Sequence, residues 1–209
     1  MRLVFASNNA HKLKEVREIL GVPAASEGKD VPGGIEVVSL KDVGFEGDIE
    51  ETGATLEENS AIKARAVWAF VAGREDIDGV FADDTGLEIE ALGGKPGVHT
   101  ARWAGEPAND VNNRQKALRE LAGVANRKAR FRTVVTLITD GQEQQMEGVV
   151  NGSIAGQESG NGGFGYDPLF VPEGYGKTFA CLTEAQKNSI SHRGRAMRAL
   201  AEGLKEIRK

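Results

Sequence analysis

The 209-residue chain predicts an α/β fold in which a mixed β-sheet is flanked by helices. Three observations carry this. Short apolar runs at Leu3–Ala6 and Val80–Ala82 alternate with stretches of helical periodicity, the pattern of strands linked by helices. Two alternating runs, Phe131–Thr139 and Met146–Ile154, flank Asp140-Gly141, a strong hairpin signal. Two capping boxes, Thr55-x-x-Glu58 and Thr183-x-x-Gln186, mark helix starts.

Each element follows in order. Leu3–Ala6 reads as a buried strand. Residues 9–20 read as a helix with Leu13, Val16, Ile19 and Leu20 on one face. Ile35–Val38 is a strand inside an acidic tract, residues 27–58. The Thr55 box opens a helix reaching about Val71. Val80–Ala82 is a buried strand that gives way to Asp83-Asp84-Thr85-Gly86, and Leu87–Glu90 alternates as a second strand. Val111–Leu121 is helical. Residues 156–176 read as a glycine-rich loop. Arg195–Ile207 is a closing helix with Met197, Leu200, Leu204 and Ile207 inward. No repeat or linker appears, so a single domain over 1–209 is expected.

Composition narrows the function. Hydrophobic residues make up 40% of the chain and charged residues 27%, ordinary for a globule with a real core. The net charge is -5, which argues against a broad nucleic-acid surface. It leaves room for an anion in a local pocket. One cysteine and three scattered histidines exclude a disulfide framework and a Cys-based zinc site. No apolar run approaches a membrane span, and the N-terminus reads as a strand rather than a signal peptide. A cytoplasmic protein without membrane or nucleic-acid partners is expected. Glycine occurs 27 times, roughly twice the usual frequency of about 7%, which hints at close backbone approaches.

Five constellations could carry chemistry. Ser7-Asn8-Asn9 with Lys12 sits at a strand-to-helix junction, where free N–H groups attract anions; alone, it reads first as an N-cap with an exposed lysine, the commoner situation. Glu50-Glu51-Thr52-Gly53, with Asn59 and Lys63 following, places carboxylates before a helix, which also suits the helix dipole. Asp83-Asp84-Thr85 puts adjacent carboxylates after an apolar strand, a donor set suited to magnesium. Gly160–Gly165 matches GxGxxG, but Asp167-Pro168 blocks the helix a dinucleotide fingerprint requires. What remains is a loop presenting Phe164 and Tyr166 with the backbone of Gly165 and Asp167. Lys187 and Ser191-His192-Arg193 gather donors around a helix start. Carboxylates for a metal, lysines for a polyphosphate, an aromatic for a base and donors for a base edge together describe a nucleoside triphosphate site.

The same residues resemble the inosine triphosphate pyrophosphatase family, in order and over nearly the whole chain. The matching blocks are Ser7, Asn9 and Lys12; Glu51-Thr52-Gly53 with Glu58-Asn59 and Lys63; Ala82–Leu87; Gly94–Gly97; Gly163–Pro168; and Lys187 with Ser191–Gly194. Thr85 stands where many relatives have Ser, and residues 22–34 look like a loop insertion. The resemblance implies an elongated mixed sheet in two lobes with an active-site cleft, a homodimer, and magnesium-dependent hydrolysis of ITP, dITP and XTP to monophosphate and pyrophosphate. It implies that Glu51 and Asp84 hold the metal and that Asp84 is the base, a role Asp83 or Glu51 could share. Lys12 and Lys63 would meet the phosphates, alongside Ser7, Asn8, Asn9 and Thr85. Phe164 would stack on the purine within the Gly165-Tyr166-Asp167 loop. Lys187, His192 and Arg193 would donate to the base.

Overall fold

The computed structural model describes residues 1–22 and 34–207. Most of the 22–34 segment, expected as a loop insertion, lies outside the described residues. The strands are β1 (Arg2–Phe5), β2 (Glu36–Val38), β3 (Gly79–Ile89), β4 (Pro96–Gly97), β5 (Lys128–Thr139), β6 (Gln142–Ile154) and β7 (Phe170–Pro172). The helices are α1 (Ala10–Leu20), α2 (Leu56–Val71), α3 (Asp110–Glu120), α4 (Glu184–Ile190) and α5 (His192–Ile207). The sheet order is β2-β1-β3-β5-β6-β7, with β4 paired to β3. β1 runs parallel to both β2 and β3, whereas β4 and β7 pair antiparallel to β3 and β6. The mixed α/β architecture is the expected one.

The described residues fall into two compact units. The first comprises residues 1–84, 134–147 and 194 onward; the second comprises 85–133 and 148–193. In the first unit, strand alternation supplies two apolar faces. Leu3, Phe5, Val37 and Phe81 pack against Val16 of α1 and Met197, Leu200 and Leu204 of α5. Val4, Ala6, Val38, Val80 and Ala82 pack against Ala64, Val67 and Val71 of α2. Phe5 and Phe81 stack at 4.9 Å between ring centres. The second unit has its own core of Leu87, Ile89, Phe131, Val150, Ile154 and Phe170, closed by Ala117 and Leu121 of α3.

Helix ends follow the sequence signals. Asn9 caps α1, its side chain accepting from the N–H groups of His11 and Lys12. Thr55 caps α2 by accepting from Glu58 N–H, but the expected capping box is only half formed, since the Glu58 side chain accepts from Ala54 N–H instead of Thr55 N–H. At α4 both halves of the Thr183–Gln186 capping box form. The β5–β6 turn falls at Asp140 and Gly141, with φ of +49° and +72°.

Three expectations need correction. Val80–Ala82 and Leu87–Glu90 are not two separate strands divided by Asp83–Gly86; β3 is one strand of 11 residues running through both aspartates. Polar residues in mid-strand look like a turn in sequence, but here each carboxylate is met by a lysine from a helix. The closing helix begins at His192 rather than Arg195, immediately after the extended Ser191 that ends α4. The glycine-rich loop also contains β7, which a three-residue run could not reveal. Its partner position is a glycine because a Cβ on Gly152 would strike the Val171 carbonyl.

Candidate active site

Successive residues of a strand point to opposite faces, so β3 sends Asp83 one way and Asp84 the other. In the first unit Asp83, its side chain fully buried, meets Lys12 Nζ at 2.8 Å. Asp84 meets Lys63 Nζ at 3.2 Å, and the same ammonium lies 2.8 Å from Glu51 Oε1. Lys63 reaches them from the first turns of α2, where Asn59, Ser60 and Lys63 form a buried polar stripe. The stripe is satisfied locally. Ser60 Oγ donates to the Ala82 carbonyl at 3.0 Å and lies 2.8 Å from the Thr136 hydroxyl. Asn59 Oδ1 accepts from Gly53 N–H at 2.7 Å, and Glu58 accepts from Ala54 N–H at 2.6 Å. A Cβ on Gly53 would fall 2.6 Å from that Asn59 oxygen. Glycine is therefore required where the backbone carrying Glu51 turns into α2.

Burial is the dominant influence on Asp84, pushing its carboxyl above the usual carboxylate range. The charge of Glu51 adds to the rise, against the pull of Lys63 and Lys12. The same burial works against the Lys63 ammonium. Asp84, Glu51 and Asp83 outweigh it, so Lys63 titrates above the ordinary lysine range. Asp84 Oδ2 is buried and accepts no hydrogen bond.

That orphaned oxygen, and a position between Glu51 and Asp84 already filled by positive charge, fit a hard divalent cation. Among the described residues, no group of three or more His, Cys, Asp or Glu is arranged to hold a metal. Two carboxylates suit magnesium, which keeps waters and takes further oxygens from phosphates.

The remaining N-terminal candidates lie nearby in the same unit. Ser7 Oγ accepts from Asn9 N–H at 3.2 Å. Asn8 donates to the Gly47 carbonyl and to Asp48, so it tethers the acidic loop leading to Glu51.

The second unit assembles the aromatic cluster. Lys187 Nζ lies 4.9 Å from the centre of the Phe164 ring, and the Arg193 guanidinium 5.7 Å from it. Both cations are buried. Lys187 is anchored by Asp167 Oδ2 at 2.6 Å, and the same oxygen accepts from Phe164 N–H at 2.9 Å. A Cβ on Gly163 would collide with that carboxylate, and Gly163 has φ +69°, so the loop needs glycine there. Arg193 donates to Thr85 Oγ1 at 3.2 Å, and Thr85 pairs with Thr133 at 2.8 Å. His192 is buried with its ring stacked on Phe131 at 4.5 Å.

Tyr166, expected beside Phe164 as a presented aromatic, has its ring in the core of this unit. Its hydroxyl donates to the Thr100 carbonyl at 3.0 Å. Burial, helped by the Asp110 charge, pushes its pKa upward. Of the two loop aromatics, Phe164 is the one whose ring is partly open.

Sequence reasoning assigned no role to Asp110 and Arg114 of α3, which hold Gly165 through its N–H and carbonyl. Nothing local marks these contacts, because their partner lies far along the chain.

The first unit thus carries a buried carboxylate–lysine cluster on β3 and α2, and the second a loop aromatic flanked by two buried cations. The Ham1 family model matches residues 3–203. A dITP/XTP pyrophosphatase of Flavobacterium psychrophilum is 44% identical, covering 98% of this chain and 100% of the relative. One from Porphyromonas gingivalis is 48% identical, with 97% of each chain covered. The Staphylococcus aureus Ham1 protein superposes with a TM-score of 0.83 at 35% identity, covering 99% of both chains. The chain belongs to the Ham1 family. No helix among the described residues is long and apolar enough to cross a membrane.

Proposed function

We propose that this chain hydrolyses non-standard purine nucleoside triphosphates (ITP, dITP and XTP) to the monophosphate and pyrophosphate, with magnesium, as a cytoplasmic homodimer. The observation that carries the reading is the Phe164 ring with buried Lys187 and Arg193 beside it: an aromatic face next to a donor-rich edge. The relatives named for dITP and XTP support it.

The cluster of the first unit takes the phosphates. Glu51 and Asp84 would hold magnesium, which when bound neutralises phosphate charge and makes water more acidic. Lys12 and Lys63 exchange carboxylate partners for phosphate oxygens, and they do so as preorganised charges rather than as mobile solvent. Asp84 would take the proton of the attacking water with a carboxylate oxygen that does not hold the metal. A raised pKa brings a base closer to its working pH and so improves it. Attack at the α-phosphorus releases pyrophosphate.

The cluster of the second unit reads the base. Lys187, His192 and Arg193 bring donors to a base edge. Hypoxanthine and xanthine offer an acceptor at position 6, whereas adenine offers an amino donor. A donor facing a donor leaves buried groups unpaired, at about 1–3 kcal/mol for each.

Replacing Phe164 with Ala tests the base assignment. Stacking on an aromatic is worth about 1–3 kcal/mol per base, so KM for ITP should rise about 10–100-fold with kcat little changed. An unchanged KM would remove Phe164 from the site.

A further inference from the structure

We infer that Asp110 and Arg114 of α3 are positioning residues that hold the Phe164 loop in its base-binding shape. The inference rests on the reading of Phe164 as the stacking residue. Asp110 Oδ2 accepts from Gly165 N–H at 2.9 Å. Arg114 Nη1 donates to the Gly165 carbonyl at 2.9 Å. The two residues are four apart on one helix, so they share a face. Together they take both backbone polar groups of a single residue, the one directly after Phe164.

That residue needs holding. Gly165 has φ +61° and Gly163 has φ +69°. Glycines on both sides of Phe164 give the backbone many alternative conformations when unrestrained. Asp167 restrains the loop from one side, accepting from Phe164 N–H. The α3 pair restrains it from the other side. Arg114 also forms an ion pair with Glu158, Nε to Oε2 at 3.1 Å.

The helix behind the pair is a firm support. Asn109 caps it by accepting from Asn112 N–H. The buried Asn113 accepts from Ala104 N–H at 2.7 Å and donates to the Ala101 carbonyl at 2.8 Å. Ala117 lies in the core of the unit. A loop ordered before the nucleotide arrives avoids the ordering cost at binding, so the gain falls on affinity and not on the chemical step.

The test is a set of steady-state measurements with ITP. Asp110→Ala and Arg114→Met should each raise KM about 3–10-fold, the scale of one lost hydrogen bond, with kcat within about twofold. Asp110→Asn keeps an acceptor oxygen and should stay near wild type. In a Phe164→Ala background neither change should raise KM further, because the ring being positioned is gone. Arg114→Lys, which keeps one donor, serves if Arg114→Met fails to fold; it should give a smaller KM rise that also vanishes in that background. The inference is overturned if the single changes leave KM unaltered, if kcat falls instead, or if the KM rise persists in full without Phe164. If Phe164→Ala alone leaves KM unchanged, the stacking assignment fails, and the positioning role fails with it.

Discussion

An Asp84→Asn variant is expected to lose about 10²–10⁴-fold in kcat, the range for removing a general acid–base group, while remaining at least as stable as wild type. The two effects have one origin. Asp84 is buried on β3, and its carboxyl titrates above the usual range. A group with a raised folded-state pKa stabilises the fold at pH below its unfolded value of 3.8, and it loses that contribution as pH rises through the folded value. At neutral pH the ionised carboxylate is therefore a cost to folding, and a neutral amide of the same shape removes the cost. Lys63 keeps Glu51 at 2.8 Å and is not orphaned. Thermal unfolding beside ITP turnover checks both halves. A variant that is inactive because it is unfolded would contradict the account.

Lys63→Met is expected to do the reverse to stability while also abolishing turnover. Its folded-state pKa is raised above 10.5, so its contribution is complete throughout the neutral range and is lost only in strong alkali. Removing it leaves Asp84 and Glu51 without their shared cation. Orphaning a buried charge costs about 3–5 kcal/mol. The low end, about 3 kcal/mol, is expected here because Asp84 relieves part of the strain by taking up a proton. Urea unfolding at pH 7.5 measures the loss. The loss should shrink as pH falls through the raised Asp84 value. The double variant Lys63→Met with Asp84→Asn should recover part of it. A destabilisation that is independent of pH and untouched by Asp84→Asn would point to lost packing of the lysine stem instead.

Much of this site is legible in sequence because it is built from local patterns. The Asn9, Thr55 and Thr183 caps are read from one to four adjacent residues, and they place Lys12, Lys63 and Lys187 within their helices. The glycines around Phe164 are visible as well, and the collision of a Gly163 Cβ with Asp167 explains one of them. What escapes is non-local. The run Asp83–Gly86 looks like a turn until Lys12 and Lys63 are known to meet its carboxylates. Tyr166 looks like a presented aromatic until Thr100 is seen to accept its hydroxyl. Asp110, just ahead of the helix read from Val111, carries no signal of its own until Gly165 is found against it. In each case the deciding partner is supplied by tertiary structure.

The most direct test is pyrophosphate release by the purified protein with magnesium, comparing kcat/KM for ITP and ATP. Two or three donors facing the adenine amino group, at about 1–3 kcal/mol each, predict that ITP is favoured by about 30-fold or more. Rates for ATP within about threefold of ITP would contradict the donor-edge account of Lys187, His192 and Arg193.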